Sequence, residues 1–269
     1  MKRYLLCAIA LFLSFGFVSC GGSKLRQYRA EVVRTYPHDT LSYTQGLFFQ
    51  DGRLFESTGL NGLSTLREVE LESGRALQRT DFPEEYFVEG SVCLDGQIYV
   101  LTWRDGKVFR YSPDGLELLG ESDYPREGWG ITSDGKYLYA SDGSAHIYVM
   151  DKDLRLKKKL TVRREGKLVH WLNELEFIDG KIWANVYVTD CIVVIDPSDG
   201  KVCAEVDCSG IYPRSQRRIE DDVLNGIAFD SASGKIYLTG KNWPCLYEIS
   251  IEGIRPGHRK SPFCPYLGL

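Results

Sequence analysis

The residues in this chain best suited to chemistry are Glu89, Lys241, Asn173, Asn225 and Gln45, and a shared phase, not a local motif, links them. Gln45, Glu89, Trp129, Asn173 and Asn225 each stand at the start of an apolar run, and all but Asn173 are followed by glycine. The segments Leu101-Thr102-Trp103, Ser141-Asp142-Gly143, Val186-Tyr187 and Thr239-Gly240-Lys241-Asn242-Trp243 end the runs that come next. Brought together, they make a site with one carboxylate, one amine, two or three carboxamides and several aromatic rings. That set suits a small polar substrate held against an apolar wall. Other chemistries lack their parts. His38, His146, His170 and His258 show no HxH or HExxH spacing, so no histidine metal site is read; His170, beside Trp171, reads as structural. No G-x-S-x-G or G-x-G-x-x-G element sits in a strand–turn–helix setting, and Ser57 and Ser141 have no base at a readable spacing. Proton transfer by a positioned carboxyl, with electrostatic stabilisation, is what remains.

The elements that must position these groups repeat along the chain. Asp51-Gly52, Asp95-Gly96, Asp134-Gly135, Asp179-Gly180 and Ser233-Gly234 each separate two apolar runs, and their glycines are 44, 39, 45 and 54 residues apart. Asp-Gly and Ser-Gly between such runs are hairpin signals, because glycine takes positive φ without strain. A third strand follows each hairpin (Leu66–Glu70, Val108–Tyr111, Ile147–Met150, Ile192–Ile195 and Leu246–Ile249), and four of these lead to a fourth. Four short antiparallel strands per repeat of about 40–45 residues predict the blades of an all-β, five-bladed β-propeller. The fifth repeat ends after three strands, and the segment 28–34 precedes the first with no sheet of its own. It is expected to supply the missing outer strand, which would also cover an edge open to aggregation. In this geometry the phase-sharing residues crowd one mouth of the central channel. The charged insert Tyr212–Asp222 reads as a surface loop or lid, and the proline-bearing tail from Arg255 as an extended cap.

Composition narrows the partners. The 269 residues carry 43% hydrophobic and 26% charged residues with a net charge of −4, which argues against a nucleic-acid surface. The basic cluster of Lys157, Lys158, Lys159, Arg163 and Arg164 reads as a solvated strand pair. Lys2 and Arg3 precede an apolar run that stops at Phe17-Val18-Ser19-Cys20. This resembles a bacterial lipoprotein signal, with residues 1–19 removed, Cys20 lipidated, 20–27 a linker and 28–269 the propeller. The expected location is the cell envelope, outside the cytoplasm, with a lipid anchor as the membrane attachment and a monomeric body. Cys93, Cys191, Cys203, Cys208, Cys245 and Cys264 remain in that body without C-x₂-C spacing; they read as buried thiols or one or two bridges.

The stretches Tyr43-Thr44-Gln45-Gly46-Leu47, Phe55–Gly59, Phe87-Val88-Glu89-Gly90, Leu101-Thr102-Trp103, Gly128-Trp129-Gly130, Ser141–Ser144, Leu172–Glu176, Ala184–Cys191, Asp222–Ala228 and Thr239–Pro244 run in order through all five repeats. In them the chain resembles the plant and bacterial glutaminyl-peptide cyclotransferases, a family of five-bladed propellers. The resemblance implies conversion of N-terminal glutamine to pyroglutamate with release of ammonia, on peptide or protein substrates, without a cofactor or metal. It implies Glu89 as general acid–base, Asn173 and Lys241 as groups polarising the substrate amide, and Gln45 as an orienting group. It also implies a cage of Tyr43, Phe87, Trp103, Trp129 and Tyr187, with Asn225 beside it among the substrate-binding residues. Three positions depart from the family pattern: Tyr43 for Phe, Val88 for Gly and Tyr187 for Trp. Two other readings compete. A non-catalytic cell-surface propeller binding a peptide or glycan would not need a lone acid beside an aromatic cage. A calcium-dependent lactonase or esterase would need a ring of acids, for which only Glu89 and Glu174 qualify.

Overall fold

The computed structural model describes residues 25–253. Strand β1 (Arg26–Pro37) comes first. The first unit is β2 (Thr44–Gln50), β3 (Arg53–Thr58), β4 (Thr65–Val69) and β5 (Ala76–Asp81). The second is β6 (Val88–Leu94), β7 (Gln97–Thr102), β8 (Lys107–Tyr111) and β9 (Leu118–Asp123). The third is β10 (Ile131–Ser133), β11 (Leu138–Ser141), β12 (His146–Met150) and β13 (Leu156–Thr161), trailed by a small hairpin of β14 (Arg163–Arg164) and β15 (Lys167–Leu168). The fourth is β16 (Leu172–Ile178), β17 (Lys181–Val186), β18 (Cys191–Ile195) and β19 (Val202–Asp207), and the last is β20 (Leu224–Asp230), β21 (Lys235–Gly240) and β22 (Cys245–Gly253). Within each unit neighbouring strands pair antiparallel in chain order.

Turn chemistry accounts for this meander. Asp51-Gly52, Asp95-Gly96 and Asp179-Gly180 have φ of 51° and 75°, 50° and 71°, and 48° and 75°. Positive φ at both central residues is the two-residue hairpin turn whose twist matches its strands. The third and fifth units use longer turns, in which only Gly135 and Gly234 take positive φ. The third strands β4 and β18 are buried throughout, whereas the outer strands β5 and β9 are exposed or half-buried along their length.

The inner strands β2, β6, β10, β16 and β20 neighbour one another in a closed ring, which makes the fold a β-propeller. Between adjacent units lie apolar clusters built on Phe55 and Ile98, on Leu101 and Leu138, on Ile147 and Ile182, on Ile192 and Leu238, and on Leu54 and Tyr237. Each large side chain sequestered there contributes about 1.5–3 kcal/mol. The last unit is completed by β1, antiparallel to β22 from Tyr28↔Gly253 to Pro37↔Cys245. Closure by the N-terminal strand is thus as expected, with a strand longer than 28–34. The same strand also runs parallel to β19, from Arg26↔Ala204 to Arg29↔Asp207, so the fourth and fifth units share one eight-stranded sheet.

The insert Tyr212–Asp222 is anchored, unlike a free lid. Arg217 pairs with Asp190 at 2.6 Å and lies over the Trp243 ring, and the Tyr212 ring meets the same indole edge-on. Lys157–Lys159 are exposed on β13, while Arg164 reaches the buried Glu205 at 2.9 Å. Cys93, Cys208 and Cys245 carry free thiols and Cys203 is disulfide-bonded. Cys20, the leader and the tail from Arg255 lie outside the described residues, among which no helix is long and apolar enough to cross a membrane.

Candidate active site

A backbone irregularity puts the phase-sharing residues where they are. In β2, β6, β16 and β20 the ladder slips by one residue between Thr44 and Gly46, Val88 and Ser91, Leu172 and Leu175, and Leu224 and Ile227. The extra residues fall at Gln45, Glu89, Asn173 and Asn225. Such bulges re-aim side chains beside active sites, and here they turn one polar group per blade toward the mouth. In the third blade Trp129 stands just before β10, its N–H donating to the Ser141 carbonyl. The glycines that follow let the inner strands touch: a Cβ on Gly90 would meet Gly130 Cα at 2.8 Å, and one on Gly130 would meet the Asn173 carbonyl oxygen at 2.1 Å. Where the fourth blade has Glu174 instead of glycine, its carboxyl group reaches the adjacent inner strand β20 and accepts from Ile227 N–H at 2.9 Å.

Two charged groups are sunk in this mouth, Glu89 at 5% exposed and Lys241 at 3%. Burial pushes the Glu89 carboxyl well above the usual carboxylate range; the Lys241 charge opposes the rise and Glu127 adds to it. Burial holds Lys241 below an ordinary lysine, with Glu89 and Asp221 pulling it back up. Burial thus disfavours the charged form of both groups, the kind of perturbation that clusters at functional sites. Asn173 is buried with its Oδ1 unpartnered. Asn225 lies behind Gln45, its amide donating to Gln45 Oε1 at 3.1 Å and to the Thr44 carbonyl at 2.9 Å. His38, at the rim, is structural: it bonds Glu56 at 2.9 Å and the Trp243 carbonyl at 2.7 Å.

The five expected cage residues form two arcs. Tyr43 meets Phe87 edge-on with centroids 6.2 Å apart, and Phe87 lies 5.5 Å from Trp103. Across the mouth Trp129 meets Tyr187 edge-on at 5.6 Å. Two carboxylates join the arcs into a ring. Glu127 accepts from Trp103 Nε1 at 3.2 Å and Trp129 Nε1 at 3.3 Å. Asp221 accepts from the Tyr43 and Tyr187 hydroxyls, each at 3.2 Å. Lys241 Nζ lies over both tyrosine rings, 4.4 and 4.9 Å from their centroids. Glu127, Asp221 and Trp171, which packs on Trp129 at 6.2 Å, were not reached from the sequence. Asp221 had a signal nonetheless: the two positions where tyrosine replaces the family's Phe and Trp are those whose hydroxyls it binds. Among the described residues no group of three or more His, Cys, Asp or Glu side chains is placed to hold a metal ion.

A family profile described as glutamine cyclotransferase matches residues 5–251. The glutaminyl-peptide cyclotransferase of Arabidopsis thaliana is 38% identical over 229 residues, covering 82% of this chain and 71% of its own. The crystal structure of Myxococcus xanthus glutaminyl cyclase superposes with a TM-score of 0.81 at 34% identity, over 86% of this chain and all of the other. A gluconolactonase from Xanthomonas campestris, 19% identical with a TM-score of 0.50 over 78% of this chain and 73% of its own, shares the fold alone. The chain belongs to the glutamine cyclotransferase family.

Proposed function

We propose that this site converts the N-terminal glutamine of peptides or proteins to pyroglutamate, with Glu89 as the proton carrier and without a metal ion. The substrate's α-amine has an ordinary pKa of about 7.7–8.0, so a neutral fraction exists near pH 8 and a strong base is not needed. Its nitrogen attacks the side-chain carboxamide carbon, forming the ring C–N bond. The bond from that carbon to the carboxamide nitrogen breaks, and ammonia leaves. Glu89 takes the proton released by the attacking amine and delivers it to the departing nitrogen, so the carboxyl is unchanged over a turnover. Lys241 and Asn173 stabilise the oxyanion that forms between the two events. The ring of Tyr43, Phe87, Trp103, Trp129 and Tyr187 folds the flexible side chain into attack geometry, with Gln45 orienting its amide and Asn225 holding Gln45.

The observation that carries this reading is the pairing of Glu89 and Lys241, both buried, within one aromatic ring. A propeller that merely bound peptide would gain nothing from desolvating an acid and a base together. The test is purified residues 22–269 with a short glutamine-initiated peptide, following ammonia release and the matching loss of mass. The absence of metal-donor clusters among the described residues supports a second expectation, that turnover persists in strong chelator; a loss restored by zinc would contradict it. We further propose that Cys20 anchors the protein to the cell envelope, that the body is a monomer and that it does not bind nucleic acid, on the sequence signals given above.

A further inference from the structure

We propose that a groove beside the site receives the substrate chain following its glutamine, and that it favours an aliphatic side chain with a carboxylate beyond it. This rests on the cyclisation reading. The groove, of about 510 Å³, is walled by Leu41, Leu60, Leu63 and Ile219, with Arg79 and Arg218 among its polar lining. A peptide whose first residue is sunk between Glu89 and Lys241 must send the rest of its chain out across the face of the propeller.

Chain continuity places the groove on that exit. Leu41 precedes Tyr43 by two residues, Ile219 precedes Asp221 by two, and Asn242, also in the lining, follows Lys241 directly. Leu60 follows Gly59, which packs so closely on Phe87 that a Cβ would meet the ring at 2.4 Å. Leu41 thus continues the segment that carries Tyr43 and Asn242 the one that carries Lys241, while Ile219 adjoins Asp221 and Leu60 adjoins the glycine packed on Phe87. The segment 38–43 leaves β1, an outer strand, and enters β2, an inner one, so it crosses the face between rim and axis. The groove that runs beside it is a radial path.

Its chemistry is unlike ordinary surface. Leu41, Leu63 and Ile219 are 80%, 66% and 58% exposed. Scattered exposed aliphatics are unremarkable, but three lining one groove next to a site await an apolar contact. Leu60 holds φ of +88°, a strained value for a β-carbon-bearing residue. It is kept there by its carbonyl, which accepts from Leu63 N–H and Ser64 Oγ, both at 2.9 Å. Three arginines line the groove, each held by a carboxylate: Arg67 by Asp39, Arg218 by Asp222 and Arg79 by Asp81. Arg67 is engaged by Asp39 and Ser42, and Arg218 by Asp222 and the Thr40 and Asn242 carbonyls. Arg79 is half-exposed and bonds Asp81 on its own strand, which leaves its outer face open to a substrate carboxylate.

The experiment compares three substrates: glutaminamide, which cannot reach the groove, Gln-Leu-Ala-Glu-Ala amide and Gln-Ser-Ala-Lys-Ala amide. The parent should prefer the leucine–glutamate peptide by about tenfold in kcat/KM, the scale of one apolar contact in a pocket. Leu41→Ser with Leu63→Ser, and separately Arg79→Glu, should shrink that preference while glutaminamide turnover stays at the parental level. These side chains are exposed, so the fold is not at stake. A parent without the preference, variants that retain it, or variants that lose glutaminamide turnover as well would each overturn the proposal. A parent that turns over none of the three would instead overturn the cyclisation reading on which it rests.

Discussion

Replacing Glu89 by Gln separates a proton carrier from a framework residue. The variant keeps the shape of the side chain and removes the transferable proton. The loss should appear in kcat, by about 10²–10⁴-fold, or about 2.7–5.4 kcal/mol of barrier, with KM changed little. Stability should move the other way. Burial and the charges of Lys241 and Glu127 are what act on this carboxyl, with no hydrogen bond among them. Its folded pKa is raised, so above the ordinary 4.5 the unfolded chain binds fewer protons than the folded one. Glu89 therefore subtracts stability progressively as pH rises from 4.5 through its raised folded pKa, and glutamine, which does not titrate, removes that cost. The variant should melt no lower than the parent at pH 8, and the difference between them should shrink at pH 4. Steady-state ammonia release and thermal melts by circular dichroism measure both arms. Near-parental kcat, or a lowered Tm with intact kcat, would remove Glu89 from the mechanism.

Three other outcomes are expected. Lys241→Ala should lower kcat by about 10²–10³-fold, the usual loss for a preorganised oxyanion donor, whereas Trp103→Ala should raise KM as well; equal, small effects on both parameters would count against the assigned roles. Asp221→Asn should raise KM by a few-fold to about tenfold, as expected for one or two hydrogen bonds of about 0.5–1.5 kcal/mol. In a Tyr43→Phe, Tyr187→Phe background the same change should add nothing to KM. It should still move the alkaline limb of the kcat/KM profile to lower pH, because Asp221 and Glu89 are the charges that hold Lys241 up against its burial; an unmoved limb would refute the electrostatic part. Intact-mass analysis in a bacterial host should find residues 1–19 missing and Cys20 acylated, and an unmodified Cys20 would end the anchor proposal.

Much of this architecture was legible because propeller blades are specified by local turn chemistry. Asp51-Gly52, Asp95-Gly96 and Asp179-Gly180 need positive φ at adjacent residues, a demand that sequence states directly. The same repeat phase picked out Gln45, Glu89, Trp129, Asn173 and Asn225, since position in a blade decides which residues face the axis. The bulges that aim four of these side chains were not legible. They arise where inner strands of neighbouring blades press together, as at Gly90 against Gly130, and no single repeat contains that contact. Trp171 was passed over for a similar reason. Its packing on Trp129 and its N–H bond to the Gly143 carbonyl are made with the preceding blade, and its φ is +64°.

Glu127 and Asp221 show a sharper limit, and also why the site works as one piece. Both stand outside the repeat phase, one in the loop before β10 and the other at the end of the insert. Each directly precedes a recognised stretch, Gly128-Trp129-Gly130 and Asp222–Ala228, but nothing in the repeat marks the carboxylate itself. Yet each accepts from two rings carried by different blades, Glu127 from the second and third, Asp221 from the first and fourth. The aromatic ring is therefore closed by groups that the repeat does not encode. In a propeller each blade contributes one or two side chains to the mouth, and nothing within a blade sets their mutual angle. Carboxylates bridging between blades supply that constraint. The insert Tyr212–Asp222 can do so because Arg217 fixes it to Asp190 and Trp243, so its irregular sequence is what a crosslink between non-adjacent blades requires.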